Sequence, residues 1–260
     1  MSETTAQDTS TGRRILVIGG GPAAHRFVQS MLKRGLGQDT ITVLSEEQWT
    51  PYDRVALEKL FVDAERDLTL GDPQMWQTPG IELRSGQRAA ELDVKARTVL
   101  TRSGETFAYD ELVLATGSNA ATLNIPGAHR VHVFRTIDDV RGIVAEVEQL
   151  KQKLGRAPRG VVVGGGLLGL EAAAGLLDLG AEATILDVAE FLLCTQMDRE
   201  GGLAVNSLMR EQGLDVQCSS YIQGVELDEQ ENVIGVNVAD GPGPEAVVRR
   251  LEADMVILGV

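Results

Sequence analysis

The sequence predicts an α/β chain in which one architectural unit occurs twice, each copy a parallel sheet with helices and a β-meander. Three observations carry this. A strand, a glycine loop and a helical stretch follow one another at Arg14–Ile18, Gly19–Gly21 and Ala23–Arg34, and again at Gly160–Val163, Gly164–Gly166 and Leu168–Leu179. Each copy closes on an apolar, buried-type strand, residues 111–115 and 254–258. The opening glycines, Gly19 and Gly164, stand 145 positions apart, and the closing strands, matched at Leu114 and Leu258, stand 144 apart. Two independent landmarks at nearly one offset mark an internal repeat.

The elements between follow the same plan. Both helical stretches stop at a glycine, Gly35 and Gly180, the residue that most readily takes the left-handed conformation at a helix end. Short apolar strands come next, Ile41–Leu44 and Ala183–Leu186, each ending in acid: Glu46 and Glu47 in the first copy, Asp187 in the second. Ile81–Leu83, Ala89–Leu92, Val99–Arg102 and Thr106–Ala108 read as a meander of short strands separated by turn residues. Val216–Cys218, Ile222–Leu227, Val233–Val238 and Val247–Leu251 read likewise. Residues 1–12, rich in Ser, Thr, Asp and Gln, read as a disordered tail. Residues 13–126 and 127–260 are then the two domains.

A strand that runs through a glycine loop into a helix has a physical reason to hold a pyrophosphate. The helix N-terminus offers free N–H groups and the positive end of its dipole. Gly19 and Gly164 allow the tight turn, Gly21 and Gly166 let phosphates approach the backbone, and Ala24 and Gly169 let helix pack on strand. The carboxylates at the second strand tips, Glu46 or Glu47 and Asp187, suit the hydroxyls of an adenosine ribose. A single such loop is weak evidence; two in the expected strand–helix context make two Rossmann-like dinucleotide sites the reading. Asp187 favours NADH over NADPH, because it repels a 2′-phosphate.

Composition narrows the partners. The chain has 260 residues, 43% of them hydrophobic, and a net charge of −14, with a mean hydropathy of −0.03. Such acidity argues against nucleic acid and anionic membrane, and no apolar run approaches the roughly 20 residues of a membrane span. The two cysteines, Cys194 and Cys218, fit a reducing cytoplasm. They stand 24 positions apart in the second copy, which excludes a closely spaced redox pair. They read as fillers of core or surface. His25, His129 and His132 show no metal-ligand spacing, so no metal is expected. A homodimer is the assembly considered.

The paired glycine loops, together with Ala115, Thr116 and Gly117 after the first closing strand, resemble the two-dinucleotide-binding flavoprotein family. That resemblance implies FAD on the first copy and NAD(P)H on the second. The stretch from Glu46 to Lys59, with Pro51, Tyr52, Asp53 and Arg54, is similar to the segment that runs under the flavin in the ferredoxin reductase-like branch. It implies flavin contacts and catalytic roles for Arg54 and Lys59. Arg135 matches another flavin-side position, Ala89 joins the cofactor-binding set, and Glu171 is a candidate anchor for the nicotinamide side.

Three details are similar to NAD(P)H nitrite reductase large subunits: His25 to Phe27, Tyr52 to Val55, and Gln196 to Asp198 ahead of Gly201 and Gly202. This implies electron flow from NADH through FAD to an iron–sulfur or siroheme centre and on to nitrite. The alternatives are a reductase of a small redox protein, ferredoxin or rubredoxin, and a non-catalytic NADH-sensing module. The family completes its FAD domain with a later segment. The FAD domain is therefore expected to be incomplete at Val260, with any iron–sulfur and siroheme parts further on.

Overall fold

The computed structural model describes residues 12–259, so residues 1–11 of the expected tail lie outside the described part. The chain divides into two compact units. The first comprises residues up to Arg54 together with Asp67–Ser118, and the second comprises Val55–Arg66 and the chain from Asn119 onward.

The first unit contains β1 (Arg14–Ile18), α1 (Pro22–Arg34), β2 (Thr40–Leu44), β3 (Ile81–Arg84), β4 (Ala89–Asp93), β5 (Thr98–Thr101), β6 (Thr106–Ala108) and β7 (Glu111–Leu114). Its parallel sheet has the order β3-β2-β1-β7. Proline in the first turn of α1 costs no hydrogen bond, Lys33 and Arg34 suit the negative end of the dipole, and Gly35 at φ 85° ends the helix. Alternation along β1 and β2 sends Ile15, Val17, Ile41 and Val43 to one face, where they bury Ala24 and Val28 of α1. The opposite face packs Leu16 and Leu44 against Val99 and Tyr109 of the antiparallel meander β4-β5-β6 and its flank.

The second unit adds β8 (Val131–Val133), α2 (Ile137–Leu154), β9 (Arg159–Val163), α3 (Leu167–Asp178), β10 (Glu182–Leu186), α4 (Arg199–Glu211), β11 (Asp215–Gln217), β12 (Tyr221–Leu227), β13 (Val233–Ala239), β14 (Val248–Leu251) and β15 (Met255–Leu258). Its parallel sheet runs β11-β10-β9-β15-β8, and β12-β13-β14 form the meander. Val161, Leu186 and Val256 of the sheet meet Val225, Val236 and Val238 of the meander in one core. All four residues of β15 are buried, as a central strand covered on both faces must be.

Backbone hydrogen bonds repeat between the copies. Gly19 N–H donates to the Leu44 carbonyl at 2.9 Å and Gly164 N–H to that of Leu186 at 2.8 Å. Ala115 N–H donates to Ile18 at 2.8 Å and Gly259 N–H to Val163 at 2.9 Å.

The α/β class holds, with corrections in pairing. Ile81–Leu83 and Val216–Cys218, expected in the meanders, belong to β3 and β11, which pair parallel with β2 and β10; Cys218 lies just past β11. Each meander therefore has three strands. Helices α2 and α4 and strand β8 are further elements, α2 opened by a capping box between Thr136 and Asp139 and α4 by the Asp198 carboxylate. Among the described residues, no helix is long and apolar enough to cross a membrane.

Candidate functional site

Each parallel sheet ends at a glycine loop that feeds a helix. Gly19 and Gly164 share φ +114°, a conformation that side-chain-bearing residues rarely adopt. A Cβ on Gly19 would overlap the Ala115 carbonyl, and a Cβ on Gly169 would overlap that of Gly164. Gly21 and Gly166 behave differently: a Cβ at either meets nothing within 4 Å. Both N-cap their helices in the extended region, and neither α1 nor α3 has a side-chain cap hydrogen bond. Their first N–H groups thus border open space next to glycine, as an anion cradle requires.

The strand tips differ between the copies. Ser45 N–H donates to the Arg84 carbonyl at 2.9 Å, as Asp187 N–H does to that of Gln217 at 3.1 Å. The residue equivalent to Asp187 is therefore Ser45, and Glu46 and Glu47 follow it. Both Ser45 and Asp187 occupy the space that a Cβ on the middle loop glycine, Gly20 or Gly165, would need. Half-buried Asp187 accepts from Gly165 N–H and, at 2.6 Å, from Ala189 N–H. One lone pair on each oxygen remains for a further donor. Glu46 pairs with Arg88. Glu47 pairs with Arg54 and accepts from the Tyr52 hydroxyl at 2.7 Å, while the Arg54 guanidinium carbon lies 4.9 Å from the Tyr52 ring centre.

The 3-10 helix Arg54–Phe61 carries exposed Lys59. The Phe61 ring sits where a Cβ on Gly175 of α3 would be, and its centre is 5.4 Å from that of Phe134. Glu58 precedes Phe61 by one 3-10 turn, and Glu171 precedes Gly175 by one α turn, so the same packing brings the two carboxylates within electrostatic reach of each other. Glu58 Oε2 is buried without a hydrogen-bond partner. Burial, and then the Glu58 charge, raise the pKa of the Glu171 carboxyl. A carboxyl whose pKa is raised by folding stabilises the fold while protonated, and that contribution is lost as pH rises through the raised value. Glu58→Gln is therefore expected to stabilise the protein at pH 7.5 by about 1 kcal/mol, roughly 2–4 °C in Tm. The gain should vanish near pH 4. Thermal melts at both pH values check it, and an equal gain at each would show that charge is not the cause.

The remaining candidates are spread over both units. Ala89 opens β4 and packs beside Leu16 and Leu44. Ala115, Thr116 and Gly117 follow β7, with Gly117 at φ 65°. Half-buried Arg135 precedes the N-cap of α2 and donates its N–H to Asp139 at 3.1 Å. His25 is buried beside Trp76 and under Gly71, and burial lowers its pKa, so it stands neutral in the core. His129 pairs with Glu231 and His132 with Glu146. No group of three metal-ligating side chains occurs among the described residues. Ser45, Gly20, Gly165 and Glu58 escaped the sequence reading. The only signal for the first three was the equal spacing of strand tip and loop in both copies, and Glu58 had none.

Residues 13–260 match the pyridine nucleotide-disulphide oxidoreductase family. The nitrite reductase [NAD(P)H] large subunit of Klebsiella oxytoca is 34% identical over 87% of this chain and 23% of its own length. The 5,5'-dehydrodivanillate O-demethylase ferredoxin reductase subunit of Sphingobium sp. is 32% identical over 94% of this chain and 57% of its own. The covalent putidaredoxin reductase–putidaredoxin complex contains a chain that superposes with a TM-score of 0.81 at 25% identity, covering 96% of this chain and 58% of that one. The chain thus spans from under a quarter to somewhat over half of these relatives. With its two glycine loops built alike and its match extending from Arg13 onward, the chain belongs to the pyridine nucleotide-disulphide oxidoreductase family, whose members bind FAD and NAD(P)H.

Proposed function

We propose that this chain is the FAD- and NADH-binding part of a flavin-dependent oxidoreductase that delivers electrons to an iron–sulfur or haem-type centre, with nitrite as the terminal acceptor through siroheme. The observation that carries the reading is the pair of helix N-termini at Gly21 and Gly166, where a Cβ would meet nothing within 4 Å, as close approach of a pyrophosphate to the backbone requires. The similarity to nitrite reductase large subunits supports the acceptor. When bound, the cofactors supply hydride transfer from nicotinamide to flavin, followed by release of single electrons.

The chain's own residues bind and orient. In this reading residues 13–126 hold FAD through Gly19, Gly21, Ala24 and the backbone at Ala89, Ala115, Thr116 and Gly117. Glu47 holds Arg54 in place through their ion pair, and Glu46 stands beside it at the adenosine end. Arg54, Lys59 and Arg135 place positive charge at the flavin, where it favours the anionic reduced form. Residues 127–260 hold NADH through Gly164, Gly166 and Gly169, with Glu171 on the nicotinamide side. The lone pairs left on Asp187 accept from the ribose hydroxyls, and its charge disfavours a 2′-phosphate.

A second reading, a reductase of a separate small redox protein, draws on the ferredoxin reductase relative and on the putidaredoxin reductase complex. The test is anaerobic: the protein is loaded with FAD, desalted, and titrated with NADH while the visible flavin absorbance is followed. Stoichiometric bleaching, with kcat/KM higher for NADH than for NADPH, is the expected result. NADH binding without retained flavin would favour a sensing module, and no binding of either cofactor would overturn the reading. Among acceptors offered to the reduced protein, a [2Fe–2S] ferredoxin taken up at catalytic rates would favour the second reading.

A further inference from the structure

Two cysteines far apart in sequence lie on segments that the fold bonds to each other. Asp187 N–H donates to the Gln217 carbonyl, Ser219 N–H to that of Ala189 at 2.8 Å and Ser220 N–H to that of Asp187 at 2.9 Å, so residues 217–220, Cys218 included, are zipped onto residues 187–189. Cys194 lies on the turn that continues from there, exposed, and the preceding Leu193 N–H donates to the Gly165 carbonyl at 2.8 Å. Buried Asn206 of α4 joins the two segments with one amide: its Oδ1 accepts from Leu192 N–H at 3.0 Å, and its Nδ2 donates to Cys218 Sγ at 3.5 Å.

Both cysteines adjoin a residue in the left-handed region, Leu193 at φ 56° and Ser219 at φ 51°. Such conformations are unfavourable for residues with a side chain and cluster at functional or switching segments. Half-buried Cys218 has its thiol pKa raised, chiefly by burial, with the charges of Asp187 and Cys194 adding to it.

We propose that Cys194 and Cys218 form an oxidisable dithiol whose disulfide ties the 188–197 loop to the end of β11 and weakens NAD(P)H binding at the second glycine loop. The second half rests on the function proposed above. The oxidant is hydrogen peroxide. The Cys194 thiolate attacks the O–O bond, forming S–O and expelling hydroxide, which leaves as water with the proton that Cys194 released. Cys218 then attacks the Cys194 sulfur, S–S forms as S–O breaks, and the departing hydroxide takes the Cys218 proton. Two thiols are oxidised and one peroxide becomes two waters. Drawing Cys194 toward Cys218 pulls Leu193 away from Gly165, whose N–H is a donor to Asp187.

The test treats the reduced full chain with hydrogen peroxide, maps peptides without reduction, and measures the NADH dissociation constant by fluorescence. Expected are a peptide linking Cys194 to Cys218 within one chain, reversal by dithiothreitol, and an NADH dissociation constant raised about tenfold in the oxidised form. Closure should quicken as pH rises and Cys218 ionises. Cys218→Ser should stop at a sulfenic acid on Cys194, trapped by dimedone; if Cys218→Ser fails to fold, Cys194→Ser, at an exposed position, should give no linked peptide and an NADH dissociation constant that peroxide leaves unchanged. Oxidation of Cys194 with no linked peptide, or a link only between chains, overturns the dithiol. A link with unchanged NADH affinity overturns the coupling. Failure of the reduced chain to bind NADH overturns the proposed function and leaves the peptide map to decide the dithiol.

Discussion

Gly166→Val should leave the fold intact and raise the NADH dissociation constant by about two orders of magnitude or more, because it fills the space where a pyrophosphate would meet the helix N-terminus. Gly166 lies at φ −80° and ψ −174°, an extended conformation that valine accepts. Its Cβ would meet nothing within 4 Å in the free protein. The cost to stability should therefore stay within about 0.5 kcal/mol. Gly21→Val, at φ −91° and ψ −171°, should act in the same way on FAD retention and leave NADH affinity unchanged. Calorimetric melts together with cofactor titrations of both variants check the pair. If Gly166→Val binds NADH normally, the second loop is not where the pyrophosphate sits.

The opposite outcome is expected three residues further along α3. Gly169→Ala should destabilise the protein by about 3 kcal/mol, at the upper end of overpacking costs. The added methyl would overlap the Gly164 carbonyl, which belongs to rigid backbone at the loop's tight turn. Gly169 is also pressed by Gly259, whose own Cβ would meet Gly169 Cα. The first copy has Ala24 at this position, fully buried in the α1–sheet core. Ala24→Gly should therefore lose only about 1 kcal/mol of helix propensity and a methyl contact. Urea denaturation of the two variants compares them, and a neutral Gly169→Ala would show that α3 shifts off its strand without penalty. Together the two positions separate binding from folding: Gly166 borders empty space, and Gly169 borders backbone.

The features legible in the amino-acid sequence are local ones. Strand, glycine loop and helix could be read at Arg14–Arg34 and Gly160–Leu179 because their signals lie within about 20 residues: β-branched runs, glycines at fixed spacing, and a glycine after each helix. The repeat offset extended this to the closing strands β7 and β15. Helix α2 was within reach of the same rules, since Thr136 and Asp139 form a capping box and Ile137, Val140, Ile143 and Val147 share one buried face.

Which strands pair is fixed only when the chain folds. An apolar run such as Ile81–Leu83 or Val216–Cys218 announces a strand but not its neighbour, because pairing depends on residues some 40 positions away in the first case and 30 in the second. The same holds for the site. Ser45 became the counterpart of Asp187 through backbone hydrogen bonds that no side-chain pattern records. Glu58 met Glu171 because a phenylalanine ring needs the bare face of Gly175. The segments that carry Cys194 and Cys218, too distant in sequence to suggest a pair, are joined by one buried asparagine. Local propensity is written in neighbouring residues, whereas proximity arises when sheets and helices close over a shared core, where burial and hydrogen bonding depend on the whole unit at once.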